Sequence, residues 1–345
     1  MRSDSSPPVS ILATRPLTGA QMGQLRSLSS RVRLEHRALA DPNRVADLLA
    51  SDTEVLLATF PPVSAEGFPA LRWFQSSSAG IDRVVPTPLW KSPVRITTTS
   101  GLHAITVGEY TLGLMIALAR DFPGFIDHQR RACWPQHPRP AYEQFPGRDL
   151  RGATVLIIGY GSIGRQVARL ARAVGMRVLA IKRDPSVRLD RGYVFPGTGD
   201  PQGELPEQIV GPDQLAKVLP EAEFIIVAAP ATSGTRHLIG AREFAAMRPD
   251  AIFINVARGE LVDENALHAA LANRRIAAAG LDVVATEPLP AESPLWRLDN
   301  VIISPHVAGC SPRYDDYVFE IFAENLRRYL ANEPLLNEVD RQLGY

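Results

Sequence analysis

The sequence predicts an α/β protein built from doubly wound parallel sheets. Three observations carry this. Short apolar runs alternate with helix-length connections along the chain. One such run, residues 154–158, passes directly into Gly159-Tyr160-Gly161-Ser162-Ile163-Gly164 and then into a helical stretch, 165–174. At 345 residues the chain is long enough for about two domains with sizeable cores. Strands joined by helix-length connections pair in parallel, and parallel sheets are covered on both faces.

In chain order, strands are predicted over residues 9–13, 54–58, 71–75 and 94–98. Helices are predicted over 19–28 and 42–50, and one long apolar helix over 105–120. A proline-rich loop follows at 135–146. A second set of six strands, 154–158, 177–181, 224–228, 251–255, 278–282 and 301–303, makes a doubly wound unit. Residues 190–212 are rich in Gly and Pro and read as a long loop. An amphipathic helix over 315–330 closes the pattern. The chain shows no repeat at a solenoid period.

Composition narrows the class further. Apolar residues are 45% and charged residues 21%, ordinary values for a soluble globular protein. The formal net charge is zero, which favours neither nucleic acid nor an anionic membrane as a partner. Two cysteines, Cys133 and Cys310, make neither a disulfide framework nor a zinc spacing, so no metal is expected. The first ten residues lack an apolar signal core, and the apolar stretch 111–119 is far short of a membrane span. A cytoplasmic location is the expectation.

The glycine turn is the strongest chemical signal. Strand, glycine-rich turn and helix together hold a dinucleotide pyrophosphate. Gly159 allows the tight turn, Gly161 lets phosphate approach the backbone, and Gly164 lets helix and strand pack closely. Ligands of an open parallel sheet bind beyond the carboxyl ends of its strands. Three titratable residues follow strands there: Arg258, Glu287 and His306. Singly, each has a bland reading as a surface arginine, a solvated turn carboxylate or a loop histidine; jointly they form an acid–base and anion-binding set. Carbonyl reduction needs such a set. A histidine protonates the developing oxyanion, a carboxylate orients the ring and favours imidazolium, and an arginine holds a substrate carboxylate with paired hydrogen bonds.

The chain resembles the D-isomer-specific 2-hydroxyacid dehydrogenase family. The matching segments are Gly159-Tyr-Gly-Ser-Ile-Gly164, Asn255-Val-Ala-Arg-Gly-Glu-Leu-Val-Asp-Glu-Asn-Ala-Leu267, Gly280-Leu-Asp-Val-Val-Ala-Thr-Glu-Pro288 and Ser304-Pro-His-Val-Ala-Gly309, and the likeness runs from about residue 50 to the end. The resemblance implies that Arg258, Glu287 and His306 are catalytic and that Asp282 contacts the nicotinamide carboxamide. It implies a flavodoxin-like substrate domain, 1–103 plus 311–345, interrupted by a Rossmann cofactor domain, 104–310. An active-site cleft whose closure excludes water is part of the same picture. By the same resemblance Ser78, Ala79 and Gly80 offer backbone amides to the substrate carboxylate, along with Arg258. Thr99 approaches the nicotinamide side, and Ala229 and Pro230 lie beside the adenosine. Ser162, Ile163, Val256 and Ala257 join the glycines around the dinucleotide, with Arg258 and His306 also within its reach. A homodimer through the cofactor domain is implied, with 105–134 contributing and Trp134 either in the interface or lining a neighbouring site.

The choice of nicotinamide turns on the second strand. An acidic residue about 20 positions past the glycines holds the ribose 2′-hydroxyl of NAD. Lys182 stands at that position, followed by Arg183. Two cations attract a 2′-phosphate, so NADP(H) is expected to be preferred, with NAD(H) possible through Asp184. The expected activity is reduction of a small 2-oxoacid, of glyoxylate or hydroxypyruvate type, to a D-2-hydroxyacid. Phosphoglycerate dehydrogenase and formate dehydrogenase are weaker alternatives within the family. The alternative from another class is a dinucleotide-sensing scaffold, like the family's corepressors, without significant turnover.

Overall fold

The computed structural model describes residues 7–39, 42–62, 68–135 and 143–342. Two compact units divide the chain. One comprises Met1–Leu102, Arg191–Tyr193 and Ser311–Tyr345; the other comprises His103–Asp190 and Val194–Cys310.

The first unit holds strands β1 (Val9–Ala13), β2 (Val32–His36), β3 (Val55–Ala58), β4 (Trp73–Ser76) and β5 (Arg95–Thr97), with helix α1 (Gly19–Ser27) between the first two. Every neighbouring pair is parallel, and the order is β2-β1-β3-β4-β5, the flavodoxin-like arrangement. β3 and β4 are buried at every position, as a sheet covered on both faces requires. The C-terminal helix of this unit, Tyr314–Leu330, has Asp315 and Asp316 in its first turn and Arg327 and Arg328 in its last, matching both ends of its dipole. Its apolar face packs Phe322 and Tyr329 on Trp73, with ring centroids 5.5 and 5.3 Å apart. Asn325, wholly buried on the same helix, donates to Gln75 Oε1 at 3.1 Å.

The second unit opens with helices α2 (Ala104–Ala119) and α3 (Phe122–Arg130). It continues as β6 (Thr154–Ile158), α4 (Ser162–Ala173), β7 (Arg177–Ile181), β8 (Gln208–Val210), α5 (Leu215–Val218), β9 (Phe224–Val227) and α6 (Ala241–Ala246). It ends with β10 (Ile252–Asn255), α7 (Glu264–Ala272), β11 (Ala278–Leu281) and β12 (Val301–Ile303). The helix Tyr314–Leu330 is therefore α8. The seven-stranded parallel sheet runs β12-β11-β10-β9-β6-β7-β8, a Rossmann order. Alternation decides its two cores: Val155, Ile157, Phe224 and Ile226 face α2 and α4, while Leu156, Ile158, Ile225 and Val227 face the opposite layer with Phe244, Leu267 and Leu271.

Several expectations from the sequence need correction. The 190–212 segment is not wholly loop. It contains β8, which pairs parallel to β7 and raises the strand count of that sheet from six to seven. β2 was not expected; only Val32 of its five residues is buried, because it is an edge strand. Residues 42–48 form a kinked 3-10 segment in place of an α-helix. Most of the expected proline-rich loop lies outside the described residues. Among the described residues no helix is long and apolar enough to cross a membrane.

Candidate active site

The glycine turn follows β6 as expected, and each glycine answers a different demand. Gly159 has φ +104°, and a Cβ there would stand 2.5 Å from the Ala229 backbone nitrogen. A Cβ on Gly164 would stand 2.2 Å from the Gly159 carbonyl oxygen. Gly161 is the opposite case: a Cβ there meets nothing within 4 Å. Two glycines thus allow the chain to fold on itself, and the third keeps space open beside the N-terminus of α4. That terminus has no side-chain cap at Gly161. Open space beside uncapped helical amides fits a pyrophosphate.

Tyr160, inside the turn, pins the long segment that follows β7. Its hydroxyl donates to Asp200 Oδ2 at 2.6 Å, and Asp200 also accepts from the Glu204 and Leu205 amides. Arg165, only 2% exposed, lies over the Tyr160 ring, donates to the Arg188 carbonyl at 2.6 Å and faces Asp190 at 3.4 Å. Burial and the Asp200 partner push the Tyr160 phenol far above its ordinary range. Lys182 stands at the end of β7 with its amide bonded to Val210 of β8. Its ammonium pKa is lowered by burial and by Arg165, against Asp184 and Asp190. Asp184 accepts from Ser186 N and Oγ at 3.0 and 2.6 Å, which closes its own turn. Ala229 is half-buried after β9, and the Pro230 carbonyl accepts from Thr235 Oγ1 at 2.8 Å.

The reactive candidates sit at the carboxyl ends of β10, β11 and β12. Asn255, 1% exposed, accepts from the Ala257 amide and donates to the Arg258 carbonyl. This tight turn buries Val256 and Ala257 and leaves Arg258 exposed. Gly259 is required next, because a Cβ there would fall 1.9 Å from the Val284 carbonyl oxygen. His306 Nδ1 lies 2.8 Å from Glu287 Oε2. The bond fixes the ring through Nδ1 and leaves Nε2 without a protein hydrogen-bond partner among the described residues. His306 also has φ +55°, a left-handed conformation that costs a non-glycine residue on the order of 1–3 kcal/mol. Its amide donates to the Asp282 carbonyl at 2.9 Å, which helps hold that conformation.

Asp282 is the hub of this loop. It is 2% exposed, and its carboxylate accepts from Ser304 Oγ, the Val307 amide and the Ala308 amide at 2.8, 2.9 and 3.0 Å. Tyr110 of α2 donates to Ser304 in turn. Both carboxylate oxygens thus serve the 304–308 turn. His103, at the start of α2, was missed by sequence reasoning. Its ring nitrogen lies 2.8 Å from where a Cβ on Gly309 would stand. Burial lowers its pKa, a hydrogen bond with the Gly309 backbone opposes this, and Arg258 and His306 lower it further. No local motif marks it; its role depends on α2 meeting the 306–309 loop.

In the first unit, Thr99 is wholly buried and donates its hydroxyl to the Ser77 carbonyl at 2.9 Å. The Ser78 amide already donates to Ser76 Oγ at 3.1 Å. Among the described residues no group of His, Cys, Asp or Glu is disposed to hold a metal ion.

A glycine turn beside uncapped helical amides, with a His–Glu pair and an arginine at neighbouring strand ends, defines a dinucleotide-dependent oxidoreductase. Residues 112–308 match the family model described as the NAD binding domain of D-isomer specific 2-hydroxyacid dehydrogenases. The chain is 33% identical to a glyoxylate reductase of Korarchaeum cryptofilum, over 82% of this chain and 81% of that protein. It is 35% identical to glyoxylate/hydroxypyruvate reductase B of Salmonella newport, over 71% of each. A crystal structure of a D-isomer specific 2-hydroxyacid dehydrogenase from Xanthobacter autotrophicus Py2, in complex with NADPH and MES, superposes with a TM-score of 0.75 at 29% identity, covering 98% of this chain and 100% of that one. The chain belongs to the D-isomer-specific 2-hydroxyacid dehydrogenases, and with them to the NAD(P)-dependent oxidoreductases.

Proposed function

We propose that this enzyme reduces a small 2-oxoacid, of glyoxylate or hydroxypyruvate type, to the D-2-hydroxyacid. The observation that carries the reading is the 2.8 Å His306–Glu287 pair on a left-handed loop, with Gly259, next to Arg258, packed on Val284, whose amide donates to the same Glu287 carboxylate at 3.2 Å. The Gly159–Gly164 turn would hold the dinucleotide, in the second unit, which we read as the cofactor domain. When bound, the reduced nicotinamide supplies a hydride to the carbonyl carbon. His306 gives a proton from Nε2 to the carbonyl oxygen, so one C=O π bond becomes one C–H and one O–H bond. Glu287 orients the ring and stabilises imidazolium. Arg258 would hold the substrate carboxylate and polarise the carbonyl. The Ala79 and Gly80 amides belong to the first unit, which we read as the substrate domain, and are proposed as carboxylate donors in their own right.

NADP(H) is the proposed preference. Lys182 and Arg183 stand where an acid would repel the 2′-phosphate, and Asp184 is engaged with Ser186. The Xanthobacter relative is in complex with NADPH. A homodimer is proposed through the second unit, because α3 and its exit leave Phe122, Phe125, Ile126 and Trp134 exposed, Trp134 by 87%.

Initial rates of NADPH and NADH oxidation with glyoxylate, hydroxypyruvate and pyruvate test the reading. Faster NADPH-dependent reduction is expected, and Lys182→Glu should lower the NADPH-to-NADH ratio of kcat/KM by tenfold or more. Tight dinucleotide binding with no oxidation across the panel would overturn the enzyme reading in favour of a sensing scaffold.

A further inference from the structure

The first unit carries a cation that neither the fold nor the reaction above uses. Arg15 follows β1, Phe60 follows β3 and Arg83 follows the loop after β4. These strand ends belong to one parallel sheet with β1, β3 and β4 adjacent, and such ends are where open α/β sheets take ligands. Arg15 is neutralised by an ion pair with Asp315 and donates to Thr59 Oγ1 at 3.2 Å. Arg83 differs. Its guanidinium carbon sits 4.4 Å from the Phe60 ring centroid, it is exposed, and it makes no ion pair with a carboxylate among the described residues. Asp82, its neighbour, turns back on the loop: its Oδ2 lies 2.8 Å from where a Cβ on Gly80 would stand.

Both cations border the 77–80 loop. Tyr314 donates its hydroxyl to the Ser77 carbonyl at 2.7 Å. Burial raises the Tyr314 phenol pKa, while Arg15 and Arg83 both pull it down. A guanidinium lying over an aromatic ring still has N–H groups to offer a planar two-oxygen acceptor. Held there by Phe60, it loses less side-chain entropy on binding than a free surface arginine does.

We propose that Arg83, seated on Phe60, selects 2-oxoacids that carry a second anionic group beyond the carbonyl, such as a carboxylate or sulfonate. This rests on the 2-oxoacid reductase reading, in which the first carboxylate is already provided for by the Ala79 and Gly80 amides. Glyoxylate and pyruvate have nothing to offer Arg83; oxaloacetate and sulfopyruvate do. Arg83 acts on binding, so its contribution falls on KM more than on kcat.

The test is kcat/KM for oxaloacetate and sulfopyruvate against pyruvate and 2-oxobutyrate, in wild type, Arg83→Gln, Arg83→Lys and Phe60→Leu. In wild type the dianions are expected to be favoured by tenfold or more over the monoanions. In Arg83→Gln that ratio should collapse towards one, mainly through KM, with Arg83→Lys and Phe60→Leu intermediate. Raising ionic strength should shrink the ratio in wild type and hardly move it in Arg83→Gln. A ratio that is the same in wild type and Arg83→Gln, with monoanions still turned over, overturns the Arg83 assignment and leaves the reductase reading intact. No turnover of any 2-oxoacid by wild type overturns both.

Discussion

The glycine turn at 159–164 and the His306 loop at 304–309 both present ligand-facing groups at strand ends, yet they are specified in opposite ways. The glycine turn is specified by missing atoms: Gly159 and Gly164 admit no Cβ, and Gly161 keeps space clear. The His306 loop is specified by bonds made. One buried carboxylate, Asp282, gathers three donors and so sets the shape of a loop in which His306 is left-handed and paired with Glu287. Steric demands leave a signature in residue type. Hydrogen-bond networks leave much less, because their meaning depends on partners brought in from elsewhere in the chain.

The comparison can be broken first within the turn itself. Gly164→Ala places a Cβ 2.2 Å from a backbone oxygen, so backbone must move. A loss of roughly 1–3 kcal/mol of stability is expected, together with loss of dinucleotide binding. Gly161→Ala meets open space, so thermal unfolding should stay near wild type while dinucleotide affinity falls by tenfold or more. Calorimetry and titration with NADPH separate the two. Equal thermal destabilisation by both variants would mean that Gly161 is structural too.

The loop is probed next through its hub. Asp282→Asn keeps the size of the side chain but turns one acceptor into a donor facing either Ala308 N–H or the Val307 and Ser304 donors. About 1–3 kcal/mol of stability should be lost. Turnover should fall further than dinucleotide affinity, since the turn that places His306 is disturbed. Unchanged kcat with an unchanged melting temperature would remove Asp282 from the account.

A smaller effect comes from His103. Burial, with Arg258 and His306 beyond it, holds its imidazole below the ordinary 6.5. Above pH 6.5 both folded and unfolded chains hold it neutral, so no cost arises. As pH falls below that point the unfolded chain takes the proton first, and stability drops until the folded-state value is passed. His103→Asn lacks this dependence. The melting-temperature difference between wild type and variant should therefore change against the wild type between pH 7.5 and 5. A gap constant with pH would show that His103 does not titrate differently in the two states.

Much of the architecture was legible because it follows from periodicity. β1, β6, β7 and β12 fall within their expected bounds, and α8 begins one residue before its expected start. β8 was hidden because its pairing to β7 is supplied by position in the sheet, while its surroundings are rich in Gly and Pro. At the site, Arg258, Glu287 and His306 could be read from their places after strands, and the structure joins the last two directly. The engagement of the Ser78 amide by Ser76, the closing of Asp184 on Ser186 and the packing of His103 on Gly309 could not be read. Each of those depends on a side-chain orientation that no residue type dictates alone.

The most direct test of the central claim is His306→Gln, with dinucleotide binding and 2-oxoacid reduction measured on the same preparation. Glutamine retains a hydrogen-bonding group towards Glu287 but cannot serve as the proton donor. NADPH affinity within about threefold of wild type, with kcat for glyoxylate reduction lower by about 10²–10⁴, is the expected result. Turnover close to wild type would contradict the assignment of His306 as the acid, and with it the role given to the loop that Asp282 shapes.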